Sequence, residues 1–328
     1  ALLRKFNADY KHELVGERQI STASHYAYLK ISEGCDRPCS FCAIPLMRGG
    51  HRSRPMEELV REAGFLARNG VRELLLIAQD STYYGLDLYR SRKLAELMER
   101  LADVEGIDWV RLHYAFPAGF PEDVLGVMAR HPNICNYIDI PLQHASTEML
   151  KLMRRGITRE KTEALIGRIR EKVPGIAIRT TMLVGHPGEK ATHFEELLDF
   201  TRKMAFERLG VFAYSHEENT YSHTMKDDVP EREKKARVEA VMALQEEISL
   251  AGNQEKTGEI LKVLVDRKEG DFFIGRTEHD SPEVDNEVLI DGKKWFVRIG
   301  DFVDVHITDA MPFDLVGEPA DVKQIISQ

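Results

Sequence analysis

The sequence contains no run of about 18 apolar residues, so no membrane-spanning helix can be drawn along it. It has no excess of positive charge either. Its 45 Lys and Arg stand against 54 Asp and Glu, a net charge of −9, which gives no general attraction to nucleic acid. Cysteine is scarce, four in 328 residues. Disulfide frameworks belong to small secreted chains with spread, paired cysteines. Here Cys35, Cys39 and Cys42 crowd together while Cys135 stands alone, which points to metal or redox chemistry. The opening residues ALLRKFNADYKHELVGE are charged throughout and lack the apolar core of a signal peptide. They also begin without Met, so a chain trimmed of an upstream segment is expected. A soluble, cytoplasmic protein is the resulting expectation. What is present is ordinary globular material, 43% hydrophobic and 30% charged, with a length that suggests about two domains.

From residue 25 to 215, short apolar runs alternate with amphipathic stretches. Strands are predicted at 26–31, 73–77, 109–114, 136–140, 177–184 and 209–214, and helices at about 56–69, 91–103, 121–130, 159–173 and 191–204. Such alternation argues for βα units and a parallel sheet. Six strands are too few for a closed eight-stranded barrel. An open partial barrel and a doubly wound sheet both remain. A polar stretch, 215–230, leads through Pro230 into a long charged helix over 231–254, with Val238, Val241, Met242 and Leu244 as its apolar stripe. After Gly258 the period becomes two, with strand-like runs at 260–265, 272–275, 287–290, 295–298 and 302–307, a pattern expected of a small all-β barrel. The expected organisation is an N-terminal linker remnant (1–24), an α/β core (25–215), a linker with a long helix (216–256) and the β-barrel (257–328).

Charge is unevenly shared. Residues 257–328 hold 16 acidic and 8 basic side chains, a net −8, leaving −1 for the rest. An acidic barrel repels phosphate backbones and favours a basic partner; a solvated acidic surface reads equally well.

The segment EGCDRPCSFCAIPLMRGGHRSRP follows the first strand and spaces its cysteines C-x₃-C-x₂-C. Three thiolates on a short loop can hold three irons of a cubic 4Fe-4S cluster, leaving the fourth iron open to an exogenous ligand. Structural zinc takes four ligands, and neither His51 nor Cys135 has conventional spacing to complete such a set. Buried, unreactive thiols fit poorly with a polar loop rich in Gly and Pro.

CDRPCSFC, with Phe41 before the last cysteine and the loop placed after strand one, resembles the radical S-adenosylmethionine superfamily. That resemblance implies a partial (βα)6 barrel, with S-adenosylmethionine chelating the open iron through its amino and carboxylate groups. One electron from the cluster, itself charged by an external electron donor, then cleaves it to methionine and a 5′-deoxyadenosyl radical. MRGGHRSRP, PLQHAS (141–146), RTTMLVGHPGE (179–189) and YSHEENT (214–220) resemble the methylthiotransferases within it. GRTEHDSPEVDNEV and GDFVDVHITDAMPFDLVGE resemble a TRAM domain. LLLIAQDSTYYG (74–85) is similar to the branch that methylthiolates an aspartate β-carbon of a small-subunit ribosomal protein, a basic partner; a second cofactor molecule would supply the methyl group. The tRNA-adenosine methylthiotransferases, with tRNA as substrate, are the alternative, since TRAM modules often bind RNA. A non-catalytic zinc or RNA-binding scaffold is the third reading.

By the resemblance, Cys35, Cys39 and Cys42 are the metal ligands, and Phe41, Gln79, Gln143, Arg179 and Gly185 are cofactor-binding residues. Each has a plainer reading beside it. Phe41 could simply pack the loop. Gln79 and Asp80 end strand two, and Gln143 and His144 follow strand four, where a polar strand-end cap is also open. Arg179 could be a fork donor to the cofactor carboxylate or one side of a structural ion pair. Gly185, Pro187 and Gly188 suit a close backbone approach or an ordinary turn. Cys135 reads as core. Arg48, Arg52 and Arg54 form a basic patch or a solvated loop. Two departures from the family pattern stand out. No upstream three-cysteine domain for a second iron-sulfur cluster lies in this chain, although the family leads one to expect it. His186 sits where Phe is usual, which is expected to alter packing only.

Overall fold

The protein is described by a computed structural model covering residues 23–320, so most of the expected 1–24 linker and residues 321–328 lie outside the described range. Six strands form one sheet: β1 (Tyr26–Lys30), β4 (Glu73–Ile77), β5 (Trp109–Leu112), β6 (Ile134–Asp139), β7 (Ala177–Val184) and β8 (Arg208–Ala213). Every neighbouring pair is parallel and the strands lie in sequence order. A doubly wound sheet reverses its order at a switch point. This one never does, and among the described residues no pairing joins β8 back to β1. The sheet is an open partial barrel.

Alternation decides which face each strand residue takes. Leu74 and Leu76, Val110 and Leu112, and Ile178 and Met182 turn outward into the main core. There they meet helical residues at three- and four-residue spacing, such as Met56, Leu59, Ala63 and Leu66 of the helix Met56–Arg68. The intervening residues face the barrel interior and include Glu73, Arg111, Tyr137, Asp139 and Arg179, all polar.

Five further strands close into a small barrel: β9 (Ile260–Glu269), β10 (Phe272–Arg276), β11 (Glu287–Asp291), β12 (Phe302–Ala310) and β13 (Asp314–Pro319), in the order β10-β11-β13-β12-β9. Its connection between β10 and β11, residues 277–286, enters the end of the large barrel where the strands begin. Glu73 is fully buried between Arg111 (2.8 Å) and Arg276. Arg111 donates to the carbonyls of Glu278 (2.6 Å) and Thr277. Tyr137 donates its hydroxyl to Asp285 (2.8 Å), and Arg208 donates to Asp280 (2.7 Å). The floor of the large barrel is therefore built by the small one. This changes the meaning of the acidic count. Asp266, Glu278, Asp280 and Asp285 are committed to His25, Arg276, the Asn136 amide, Arg208 and Arg179, so they are interior counter-charges instead of a surface field.

Three sequence expectations change. Residues 295–298 are not a strand: Val297 is buried and Phe296 exposed, but the closed barrel leaves no free edge for them to pair with. The strand Asp314–Pro319 and the short helices Ile44–Arg48 and Thr147–Leu152 were not expected. The long helix Glu231–Gln254 has the expected bounds but buries a largely polar stripe, Lys234, Arg237, Val241, Gln245, Ser249 and Asn253. Of the expected stripe only Val241 is fully buried. The polar groups are anchored, Gln245 on the Phe206 carbonyl (3.0 Å) and Asn253 on that of Met311 (3.0 Å).

Candidate active site

The cysteine loop leaves the carboxyl end of β1, opposite the sealed floor. Its base is clasped by a two-residue antiparallel pair, β2 (Ser32–Glu33) and β3 (Arg52–Ser53). Within it, Cys35 N–H donates to the Gly49 carbonyl (3.1 Å) and His51 N–H to Asp36 (3.0 Å). Ser40 N–H reaches the Met153 carbonyl (3.1 Å), while the Ser40 carbonyl accepts from Ser222 N–H (2.7 Å). The loop is thus held from two other segments of the chain.

Cys35, Cys39, Cys42, Phe41, Gln79 and Gln143 all line one cavity of about 160 Å³. None of the three thiols is in a disulfide. Each sulfur has a nearby donor: the Arg37 backbone N–H on Cys35 (3.4 Å), the Arg155 guanidinium on Cys39 (3.1 Å) and the Ile44 backbone N–H on Cys42. Burial pushes the Cys35 thiol up to about 11 and raises that of Cys42, so metal binding here releases protons. Among the described residues no three His, Cys, Asp or Glu side chains converge to hold a single metal ion. That bears on one ion and not on a cubane, in which each thiolate takes a different iron.

Gln79 donates its Nε2 to Glu33 (3.1 Å), which aims the amide, while its Oε1 is buried with no partner. Tyr114 and Gln143, which follow the neighbouring strands β5 and β6 and both line the cavity, hold left-handed backbones at φ 57° and φ 77°. Non-glycine strain of this kind gathers at functional sites.

The family profile described as the Radical SAM superfamily matches residues 29–201, and that of the TRAM domain matches 257–319. The ribosomal protein uS12 methylthiotransferase RimO of Cytophaga hutchinsonii is 63% identical over 318 residues, covering 97% of this chain and 73% of the relative. The protein of the same name from Christiangramia forsetii is 61% identical over 321 residues, covering 98% and 71%. Among solved structures, coproporphyrinogen III oxidase of Escherichia coli superposes with a TM-score of 0.54 at 17% identity, covering 83% of this chain and 70% of that one, a likeness of fold alone. The chain belongs to the radical SAM superfamily and, within it, to the RimO family.

A RimO-family protein works with a 4Fe-4S cluster and S-adenosylmethionine, and the residues present fit both. Three reduced thiols share one cavity with no protein ligand for a fourth iron among its lining residues. The orphaned Gln79 oxygen suits an ammonium donor such as the cofactor's amino group.

Two expected cofactor residues lie elsewhere. Arg179 is on the floor side, donating to Asp139 (3.1 Å) and Asp285 (3.2 Å), so it is the structural ion pair. Gly185 has φ 78°, but a side chain there would collide with Lys234 and not with a cavity, and Gly185 is absent from the cysteine-cavity lining. Asp80 caps the turn at Ser81–Tyr83 through the Thr82 N–H (2.9 Å) and accepts from Arg37 (2.6 Å). His144 accepts from the Ala145 and Ser146 amides (2.9 Å each) ahead of the helix Thr147–Leu152. Cys135 is buried on the interior, its thiol pushed up to about 12 by burial. The basic patch breaks up: Arg48 faces Glu33, and the buried Arg54 pairs with Glu62 (2.7 Å).

His186 does more than pack. Its Nε2 meets the Ser222 hydroxyl (2.8 Å), which donates to the Ser40 hydroxyl (2.9 Å) between the cysteines. Sequence reasoning missed Arg37, Tyr114, Phe116 and Arg155, which also line the cavity. The MRRG segment that carries Arg155 has no periodicity to single it out.

Proposed function

We propose that this chain carries the catalytic core of an enzyme that places a methylthio group on an aspartate β-carbon of ribosomal protein uS12. What carries this reading is the 63% identity to a uS12 methylthiotransferase across 97% of the chain. The cysteine cavity supplies the chemistry. Cys35, Cys39 and Cys42 would ligate three irons, and Phe41, Gln79 and Gln143 would line the cofactor. When bound, the cluster and S-adenosylmethionine supply a carbon-centred radical through one-electron reduction of the sulfonium. The chain's own residues orient and protect. Gln79, fixed by Glu33, presents an acceptor; the strained Tyr114 and Gln143 shape the cavity wall; the ion-paired floor closes the far end of the barrel. A cytoplasmic location, an external one-electron donor and a basic ribosomal protein as partner belong to the same reading. No helix among the described residues is long and apolar enough to cross a membrane.

The test uses anaerobically reconstituted protein. Cys39→Ala leaves two thiolates and is expected to abolish reductive cleavage of S-adenosylmethionine, whereas retained cleavage would sink the ligand assignment. Mass spectrometry then assigns the substrate: a methylthio group on an aspartate of uS12 supports the reading, and one on a tRNA adenosine overturns it.

A further inference from the structure

Arg155 is the only charged side chain that donates to a cysteine sulfur of the cavity among the described residues; the other two donors are backbone amides. Its placement is fixed from several sides. Nη1 donates to Cys39 Sγ (3.1 Å) and Nη2 to the Pro141 carbonyl. The guanidinium also lies 4.2 Å from the Phe116 ring centroid. The same ring receives Arg37 at 3.9 Å, which in turn is held by Asp80. Arg155 is buried, and its Nε has no partner in the chain. An unmet buried N–H is costly, and the polypeptide provides no acceptor for this one. The sulfurs of a bound cluster provide one.

We propose that Arg155 is a positioning residue that raises the reduction potential of the cluster by holding a charged N–H on the Cys39 sulfur. This rests on the reading that the three cysteines hold a 4Fe-4S cluster. On reduction the cluster and its thiolates gain one electron and one negative charge from a low-potential donor, and no bond to Arg155 forms or breaks. A fixed positive charge and a hydrogen bond to sulfur both favour the more negative state, and both are levers on such potentials. Low dielectric strengthens each. The carbonyl of Pro141 and the Phe116 ring keep the guanidinium from withdrawing.

The experiment is a dithionite titration of the reconstituted protein with redox mediators, following the reduced cluster by electron paramagnetic resonance. Iron content is measured first: no cluster in the unsubstituted protein overturns the cofactor reading itself. With the cluster present, Arg155→Gln is expected to move the midpoint to more negative potential, and Arg155→Lys to move it less. An unshifted midpoint in an iron-loaded Arg155→Gln protein overturns the inference. Neither outcome involves substrate, so an error in the uS12 assignment leaves the result intact. Independently of any variant, the unsubstituted protein carrying arginine labelled with ¹⁵N at its guanidinium nitrogens alone, which leaves the Arg37 amide on Cys35 unlabelled, is expected to show nitrogen coupling in the electron spin-echo of its reduced cluster. Absence of that coupling would refute the contact.

Discussion

Glu73 opens β4 wholly inside the protein, between Arg111 and Arg276. Burial alone would raise its carboxyl, but the two guanidinium groups outweigh it and hold the group below its ordinary value. Breaking such a buried set by removing one member costs about 3–5 kcal/mol, because the remaining charges are left uncompensated. Glu73→Ala is expected to lower the denaturant midpoint accordingly; a change below about 1 kcal/mol would show that the floor relaxes around the loss. His144 works in the opposite chemical sense. Burial drives its imidazole down to about 3, so it stays neutral while its Nδ1 accepts two amides. Between about 3 and the ordinary histidine range the unfolded chain binds the proton and the folded one does not. Stability therefore rises with pH across that window and is lost as the solution is acidified from neutral. Urea titrations at pH 7 and pH 5.5 should show a smaller acid loss in His144→Asn than in the unsubstituted protein.

At the scale of elements, the turn after β7 is shaped by one glycine. Gly185 adopts φ 78° against the Lys234 stem, and its N–H donates to Glu189. Gly185→Ala combines a left-handed backbone with a collision, and about 1–3 kcal/mol of destabilisation is expected, read as a lowered Tm. This position also shows what a sequence carries. The glycine announces a close approach, but whether to a ligand or to the neighbouring helix depends on packing across the chain. β4 and β7 were legible because runs such as ELLLI and AIRTTMLV are apolar on the helix-facing side whatever their partners. DLVGEP was not, since Gly317 and Pro319 weaken a strand pattern until one sees that Gly317 lies where a Cβ would meet the His306 carbonyl. The long helix has the bounds its sequence predicts but a different buried face, because apolar spacing cannot find a face made of Lys234, Arg237, Gln245 and Asn253. The cysteine triplet was readable because its chemistry is local in sequence; Arg155 and Tyr114 reach the same cavity only through the fold.

At the scale of the molecule, the two barrels share a buried ionic floor, and their stabilities should be inseparable. A single calorimetric transition is expected for the whole chain, with Arg276→Met lowering it as one peak; two resolved transitions would refute the coupling. The residues of β10 and its following loop are thus part of the large barrel as much as of the small one. The floor has a further bearing on traffic. Stoppered at one end, the large barrel keeps two openings, the end beside the cysteine loop and the unpaired side between β8 and β1. A bulky protein seated at the cysteine end would crowd the path of any small molecule beside the thiols and leave the β8–β1 side as the other route.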